Sequence, residues 1–225
     1  MKGRNIFLII FLIVLADQLL KIFVKTHYHV GETHYIISDW FRLYFIENEG
    51  MAYGWKLGGD WGKMILTLFR LAAVIFGVYY LKLIITKKYH PGFIICAAFI
   101  FSGALGNLID SMFYGIIFDE SIAGTAAVAK LFPAHGYAGF LHGKVVDMLY
   151  FPIIRDAHFP NWVPFWGGQD FEFFRPIFNI ADASISIGVF AILLFQKRFF
   201  GQRKTESNHH TVDTGIIVND EMQVS

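Results

Sequence analysis

Four apolar runs, each long enough to cross a lipid bilayer, constrain this 225-residue chain more than anything else in it. A hydrocarbon layer of roughly 30 Å takes about 20 helical residues at about 1.5 Å each. The runs cover residues 6–24, 64–85, 92–109 and 177–195. Backbone polar groups in lipid must pair within their own segment, so such runs are helices. Hydrophobic residues make up 55% of the chain against 16% charged, too apolar for a water-soluble domain of this size. The reading is a mainly α membrane protein with four transmembrane helices.

Charge sets the topology. Lys2 and Arg4 precede the first run, Lys87 and Lys88 lie between the second and third, and Lys197, Arg198, Arg203 and Lys204 follow the fourth. Basic flanks mark the cytoplasmic side, so both termini and the short turn 86–91 are expected inside, and segments 25–63 and 110–176 outside. A rival reading of the N-terminus is a cleaved signal peptide ending near Val14-Leu15-Ala16. The apolar character continues through Leu19, Leu20, Ile22, Phe23 and Val24, longer than a signal core needs, which favours a retained span. Residues 1–200 then form one membrane domain and the polar residues 201–225 a flexible cytoplasmic tail. The outward stretch 35–48 is rich in Ile, Trp, Phe and Tyr, and its alternation over Arg42 to Glu47 favours a strand, hence a small external sheet. The second outward segment is long for a loop, which is usual for functional or structured segments.

Composition excludes several classes. With 19 basic and 18 acidic residues there is no basic excess, and no nucleic-acid partner is expected. A lone cysteine, Cys96, allows neither an internal disulfide nor a Cys-rich zinc site. His27, His29 and His34 cluster in an outward turn region and no His-Glu-x-x-His helix exists, so no metal is expected. Asp213-Thr214-Gly215 matches the tripeptide of pepsin-like proteases. It occurs once, in the polar tail, without a second copy to supply another carboxylate, and is set aside.

Charged side chains inside spanning helices are costly unless paired or hydrated, and so mark candidate sites. Asp17 and Lys21, four apart on one helical face, are placed for an internal ion pair. Arg70 is expected to snorkel toward Trp61. The third run ends in Ser102-Gly103-Ala104-Leu105-Gly106-Asn107-Leu108-Ile109-Asp110, whose small residues admit a close neighbour and whose Asn107 and Asp110 share a face. The fourth opens with Asn179 and Asp182, again three apart. Asp147 lies alone in the apolar run Val145 to Phe151, where capping a turn or pairing with Lys144 are the ordinary explanations. Taken together, Asp147 and Asp182 admit another reading. Two carboxylates in a poorly hydrated site share a proton, leaving one to act as base and the other as acid.

Five ordered blocks resemble the lipoprotein signal peptidase family, the type II signal peptidases of bacteria. They are Asp17-Gln18 with Lys21; Asn48-Glu49-Gly50-Met51-Ala52-Tyr53; Gly103 to Asp110; Val145-Val146-Asp147; and Phe178-Asn179-Ile180-Ala181-Asp182. The resemblance implies an aspartic endopeptidase whose catalytic pair is Asp147 and Asp182. It also implies that Asp17, Lys21, Asn48, Gly50, Ala52, Asn107, Asp110, Asn179 and Ala181 shape the site or hold substrate. The implied fold is four transmembrane helices with a small extracytoplasmic β-cradle and a short amphipathic helix. The implied substrate is a diacylglyceryl-modified prolipoprotein, cut on the amino side of the lipidated cysteine at the outer face of the bacterial inner membrane. Membrane lipid is a partner, a monomer is expected, and no cofactor or metal is required. Two departures stand out. The family usually carries arginine directly after the acid near the end of the third helix, where this chain has Ser111, and Arg70 is the candidate replacement. The outward segment before Asp182 is also longer than the family core. A small proton-coupled transporter and a noncatalytic membrane scaffold are the alternatives; a transporter site would lie near mid-bilayer.

Overall fold

The computed structural model describes residues 3–49, 59–125, 127–152, 154–158, 160–162, 164, 167–168, 170–173 and 176–201. Its long helices are α1 (Gly3–His27), α2 (Gly59–Thr86), α3 (Pro91–Ile117) and α4 (Ile180–Phe200). All four are long and apolar enough to cross a membrane, making this a multi-pass membrane protein. α3 is the central helix: half of its most apolar window is buried, against 17% in each of the others. Large apolar side chains such as Phe11 on α1, Phe69 and Phe76 on α2 and Leu194 on α4 instead point outward, as lipid-facing residues do.

Local chemistry starts and ends these helices. The His90 side chain accepts from the Gly92 N–H and Pro91 occupies the first turn, where its missing N–H costs nothing. Asn179 caps α4 through its side-chain oxygen. Small residues let α3 and α4 meet: a Cβ on Gly103 would lie 2.1 Å from the Ala181 carbonyl oxygen, so only glycine fits.

α3 runs about two turns past the expected boundary at residue 109. Asp110 does not end the helix, because its charge is matched from α1 and the following residues remain helix-compatible. Segment 110–176 therefore leaves the bundle only after Ile117. The chain then folds back along the end of α3: the N–H groups of Phe132, Ala138, Leu141 and Gly143 donate to the carbonyls of Ile117, Gly115, Met112 and Ser111. For Gly115 and Ile117, in the last turn, this satisfies carbonyls that would otherwise need water.

That return delivers the chain into a four-stranded antiparallel sheet, in the order β1 (Thr33–Ile37), β2 (Phe41–Asn48), β3 (Val145–Tyr150) and, beyond it, β6 (Ile177–Phe178). A separate ribbon pairs β4 (Ile154–His158) with β5 (Asp170–Phe173). Residues 177–178, expected at the head of the fourth span, are strand; α4 begins only at Ile180. A small antiparallel sheet is present as expected, with β2 covering the alternating stretch. Side chains alternate across a strand, so Val146 and Met148 enter an apolar cluster with Val24, Phe45, Tyr114 and Phe118, while Asp147 faces the other way. One extra residue in β2 between Leu43 and Ile46 sets the register that pairs Ile46 with Asp147 and Asn48 with Val145. The short amphipathic helix implied by the family resemblance is not among the described elements.

Candidate active site

Polar residues from every element of the bundle core meet where the sheet joins the helices. On α1, Lys21 is fully buried; its ammonium contacts Asp17 Oδ2 at 2.8 Å, Asp110 Oδ2 at 2.7 Å and Asn107 Oδ1 at 3.0 Å. Three oxygens thus surround one ammonium. The pair expected between Asp17 and Lys21 is present, and the carboxylate of Asp110 completes it from α3. Gln18, which the sequence marks only as a neighbour of Asp17, donates to Asp110 Oδ1 at 2.8 Å and accepts from the Tyr114 hydroxyl at 3.1 Å. Asp17 Oδ1 also accepts from the Ala181 N–H at 2.9 Å, tying α1 to the first turn of α4.

Asp147 and Asp182 stand in a different environment. Asp147 is 2% exposed on β3; its Oδ1 accepts from Asn179 Nδ2 at 2.7 Å and its Oδ2 from Asn48 Nδ2 at 3.3 Å. Asp182 Oδ1 accepts from Asn107 Nδ2 at 2.7 Å. The Asn179 amide also donates to Asn107 Oδ1 at 3.2 Å, and its own oxygen accepts from the Asp182 N–H at 2.8 Å. One side chain therefore caps α4, holds Asp147 and connects it to the residue that holds Asp182. Burial, and after it the charge of Asp182, push the Asp147 carboxyl up to about 7. The pairing with Lys144 considered for Asp147 is not what forms: Lys144 Nζ lies 3.6 Å from Glu47 Oε2.

The structure brings Asp17, Lys21, Asn48, Asn107, Asp110, Asp147, Asn179, Ala181 and Asp182 into this region. Gly50 and Ala52 lie outside the described residues, as do Asp213-Thr214-Gly215 and residues 202–225. Arg70 is turned toward α3, not only along its own helix: Nη1 donates to Ser111 Oγ at 2.6 Å. A second buried charge cluster escaped the sequence reading. Lys25 pairs with Glu47, donates to Ser121 Oγ at 2.8 Å and lies over the rings of Phe118 and Tyr137. Its position four residues after Lys21, on the same helical face, was the available signal. His29 and His34 are both held by Glu32, and no metal-holding group of His, Cys, Asp or Glu occurs among the described residues.

Comparison with known proteins adds an independent line. The family described as Signal peptidase (SPase) II matches residues 9–198. The chain belongs to the signal peptidase II family. Relatives named lipoprotein signal peptidase include one from Porphyromonas gingivalis, 44% identical over 88% of this chain and 84% of its own length. Another, from Amoebophilus asiaticus, is 31% identical over 83% of this chain and 75% of its own length. Two solved structures titled as bacterial membrane enzymes share the fold, with TM-scores of 0.54 and 0.56 at 23% and 24% identity; they cover 90% and 86% of this chain and 94% and 93% of their own. As a signal peptidase II family member, the protein is a peptidase whose matched region runs from α1 into α4.

Proposed function

We propose that this protein removes the signal peptide from diacylglyceryl-modified prolipoproteins, cutting on the amino side of the lipidated cysteine with Asp147 and Asp182 as an aspartic pair. The lipoprotein signal peptidase names of its relatives support the substrate. The observation that carries the mechanism is the amide bridge: Asn179 on Asp147, Asn107 on Asp182, and the two asparagines bonded to each other. Amides orient both carboxylates without neutralising either. A pair so held keeps one proton near neutral pH.

The ionised carboxylate takes a proton from water as the water oxygen bonds to the scissile carbonyl carbon. The protonated partner donates a hydrogen bond to the developing oxyanion. When the C–N bond breaks, the nitrogen takes a proton from the carboxyl that received one, and the pair returns to its starting charge. Asp17, Lys21, Asn48, Asn107, Asp110, Asn179 and Ala181 shape this site in our reading, with Gly50 and Ala52 assigned to substrate contact. No metal or cofactor takes part.

Asp182 in the first turn of α4 and Asp147 on the sheet belong to one end of the bundle, the end away from the basic flanks. That location favours hydrolysis at the outer face of the inner membrane, where water reaches the bond while signal helix and acyl chains remain in lipid. It disfavours a transporter site, which belongs at mid-bilayer between broken helices. Both termini are cytoplasmic in this reading, residues 1–200 form one domain, and the enzyme works as a monomer. Purified protein with a synthetic diacylglyceryl-modified precursor provides the test. Wild type should release the signal peptide, whereas Asp147→Asn and Asp182→Asn should bind the precursor and cleave at least about a thousandfold more slowly. Cleavage near the wild-type rate in both variants would reject the mechanism.

A further inference from the structure

Charge accounting leaves one cation without a role in the mechanism above. Among the described residues four carboxylates surround the site, Asp17, Asp110, Asp147 and Asp182, and two cations face them, Lys21 and Arg70. The field of Lys21 reaches Asp147, but its ammonium is taken up by Asp17, Asp110 and Asn107. Arg70 enters from α2, and its charge bears on Asp110, Asp182 and Asp147. Its guanidinium is seated on Ser111 Oγ, which itself donates to the Asn107 carbonyl at 2.9 Å. The side chain of that same Asn107 donates to Asp182. The arginine is therefore anchored one residue away from the group that holds an acid of the pair.

We infer that Arg70, seated on Ser111, is a positioning residue for the peptidase reaction: its fixed positive charge keeps one carboxylate of the Asp147/Asp182 pair ionised while the other retains the proton. The inference rests on the aspartic reading of the site. Without such a charge, two adjacent acids, one buried and one partly so, lower their energy by both taking up protons, and the base is lost. Ser111 matters because it fixes the guanidinium on α3. A short hydroxyl after Asp110 is what leaves room for a cation arriving from α2.

The test is the pH dependence of kcat/KM on a diacylglyceryl-modified precursor peptide, with Asp147→Asn as the control for the pair. Arg70→Gln keeps a donor for Ser111 and removes the charge. It should shift the acidic limb upward by about one pH unit, which reads as about a tenfold loss of activity on that limb. Arg70→Lys, which restores the charge, should return the limb most of the way to wild type. In the double variant Arg70→Gln with Ser111→Arg the charge comes from α3, and the limb should likewise move back. A folded Arg70→Gln protein with the wild-type limb overturns the inference, as does an Arg70→Lys limb displaced as far as that of Arg70→Gln. If Arg70→Gln does not fold, Ser111→Ala carries the test: loss of the anchor should move the limb upward, and an unmoved limb overturns the inference. Full activity in Asp147→Asn would instead sink the aspartic reading itself, so the two failures are distinguishable. The charged groups that bear on the pair in this profile are Lys21 from α1 and Arg70 from α2, with Asp17 and Asp110 paired to Lys21, while Glu47 lies on the opposite face of the sheet beside Val146.

Discussion

Among the described residues two pairs of carboxylates meet in this bundle, three of the four acids buried and Asp182 partly so, and the pairs are held in opposite ways. Asp17 and Asp110 share a lysine, whose ammonium lies 2.8 Å from a carboxylate oxygen of the first and 2.7 Å from one of the second, and whose charge cancels one of theirs. Asp147 and Asp182 share a bridge of asparagines, which supplies directed hydrogen bonds and no charge. A shared ammonium sits between two acids and ties helices together. A shared amide fixes the same atoms in space yet leaves their proton free to be exchanged. The first arrangement is suited to assembly, and the second to chemistry. Asn107 joins the two, accepting from Lys21 and Asn179 while donating to Asp182.

The sharpest way to break this contrast is to remove the lysine. Lys21→Met keeps the length of the side chain and strands two buried carboxylates, at a cost of about 3–5 kcal/mol. Thermal unfolding in detergent should show a loss of that order, and a Tm within a degree of wild type would contradict the assembly role. Asn179→Ala strikes the other pair. It removes a helix cap worth about 1 kcal/mol together with the bridge, so the stability loss should be modest. Cleavage of the lipidated precursor should nevertheless fall by about a hundredfold, the usual order for a displaced acid–base group. A loss of activity no larger than the loss of folded protein would show that the bridge is only a cap.

The smallest effect is a titration. Asp147, raised to about 7 by burial and by Asp182, should show a protonated carboxyl band in infrared difference spectra that disappears as the pH passes about 7. In Asp182→Asn the neighbouring charge is gone, so that midpoint should fall. The sign for stability follows. A carboxyl raised above its unfolded value of about 3.9 contributes stability fully below that pH, and the contribution is lost as the pH rises through about 7. Asp147→Asn should therefore gain in Tm relative to wild type between pH 4 and pH 8. A constant difference across that range would mean the carboxyl is not raised.

Much of the fold is legible in the amino-acid order because its determinants are local. Bilayer thickness and hydropathy locate the four helices, β2 shows its alternation, and the i,i+4 spacing of Asp17 and Lys21 predicts their pairing. The same locality misplaced the end of α3. Asp110 reads as a boundary when only its neighbours are considered, yet Lys21, 89 positions earlier in the chain, makes that acid tolerable inside a helix. β3 was hidden for a related reason: it is buried on both faces and carries no alternation to read.

What the sequence determined by itself is the number of spans, a small sheet, and a set of polar residues too costly to lie in lipid without partners. Family resemblance could name two acids among them. Which partner each polar group takes was decided only in three dimensions. Asn179 is an ordinary helix cap until α4 packs against β3, and Arg70 is an ordinary snorkelling cation until α2 lays it on Ser111. The physical reason is range. Hydrophobicity and helix periodicity act over a few residues, whereas hydrogen bonds and charges at about 3 Å depend on how separate elements are brought together.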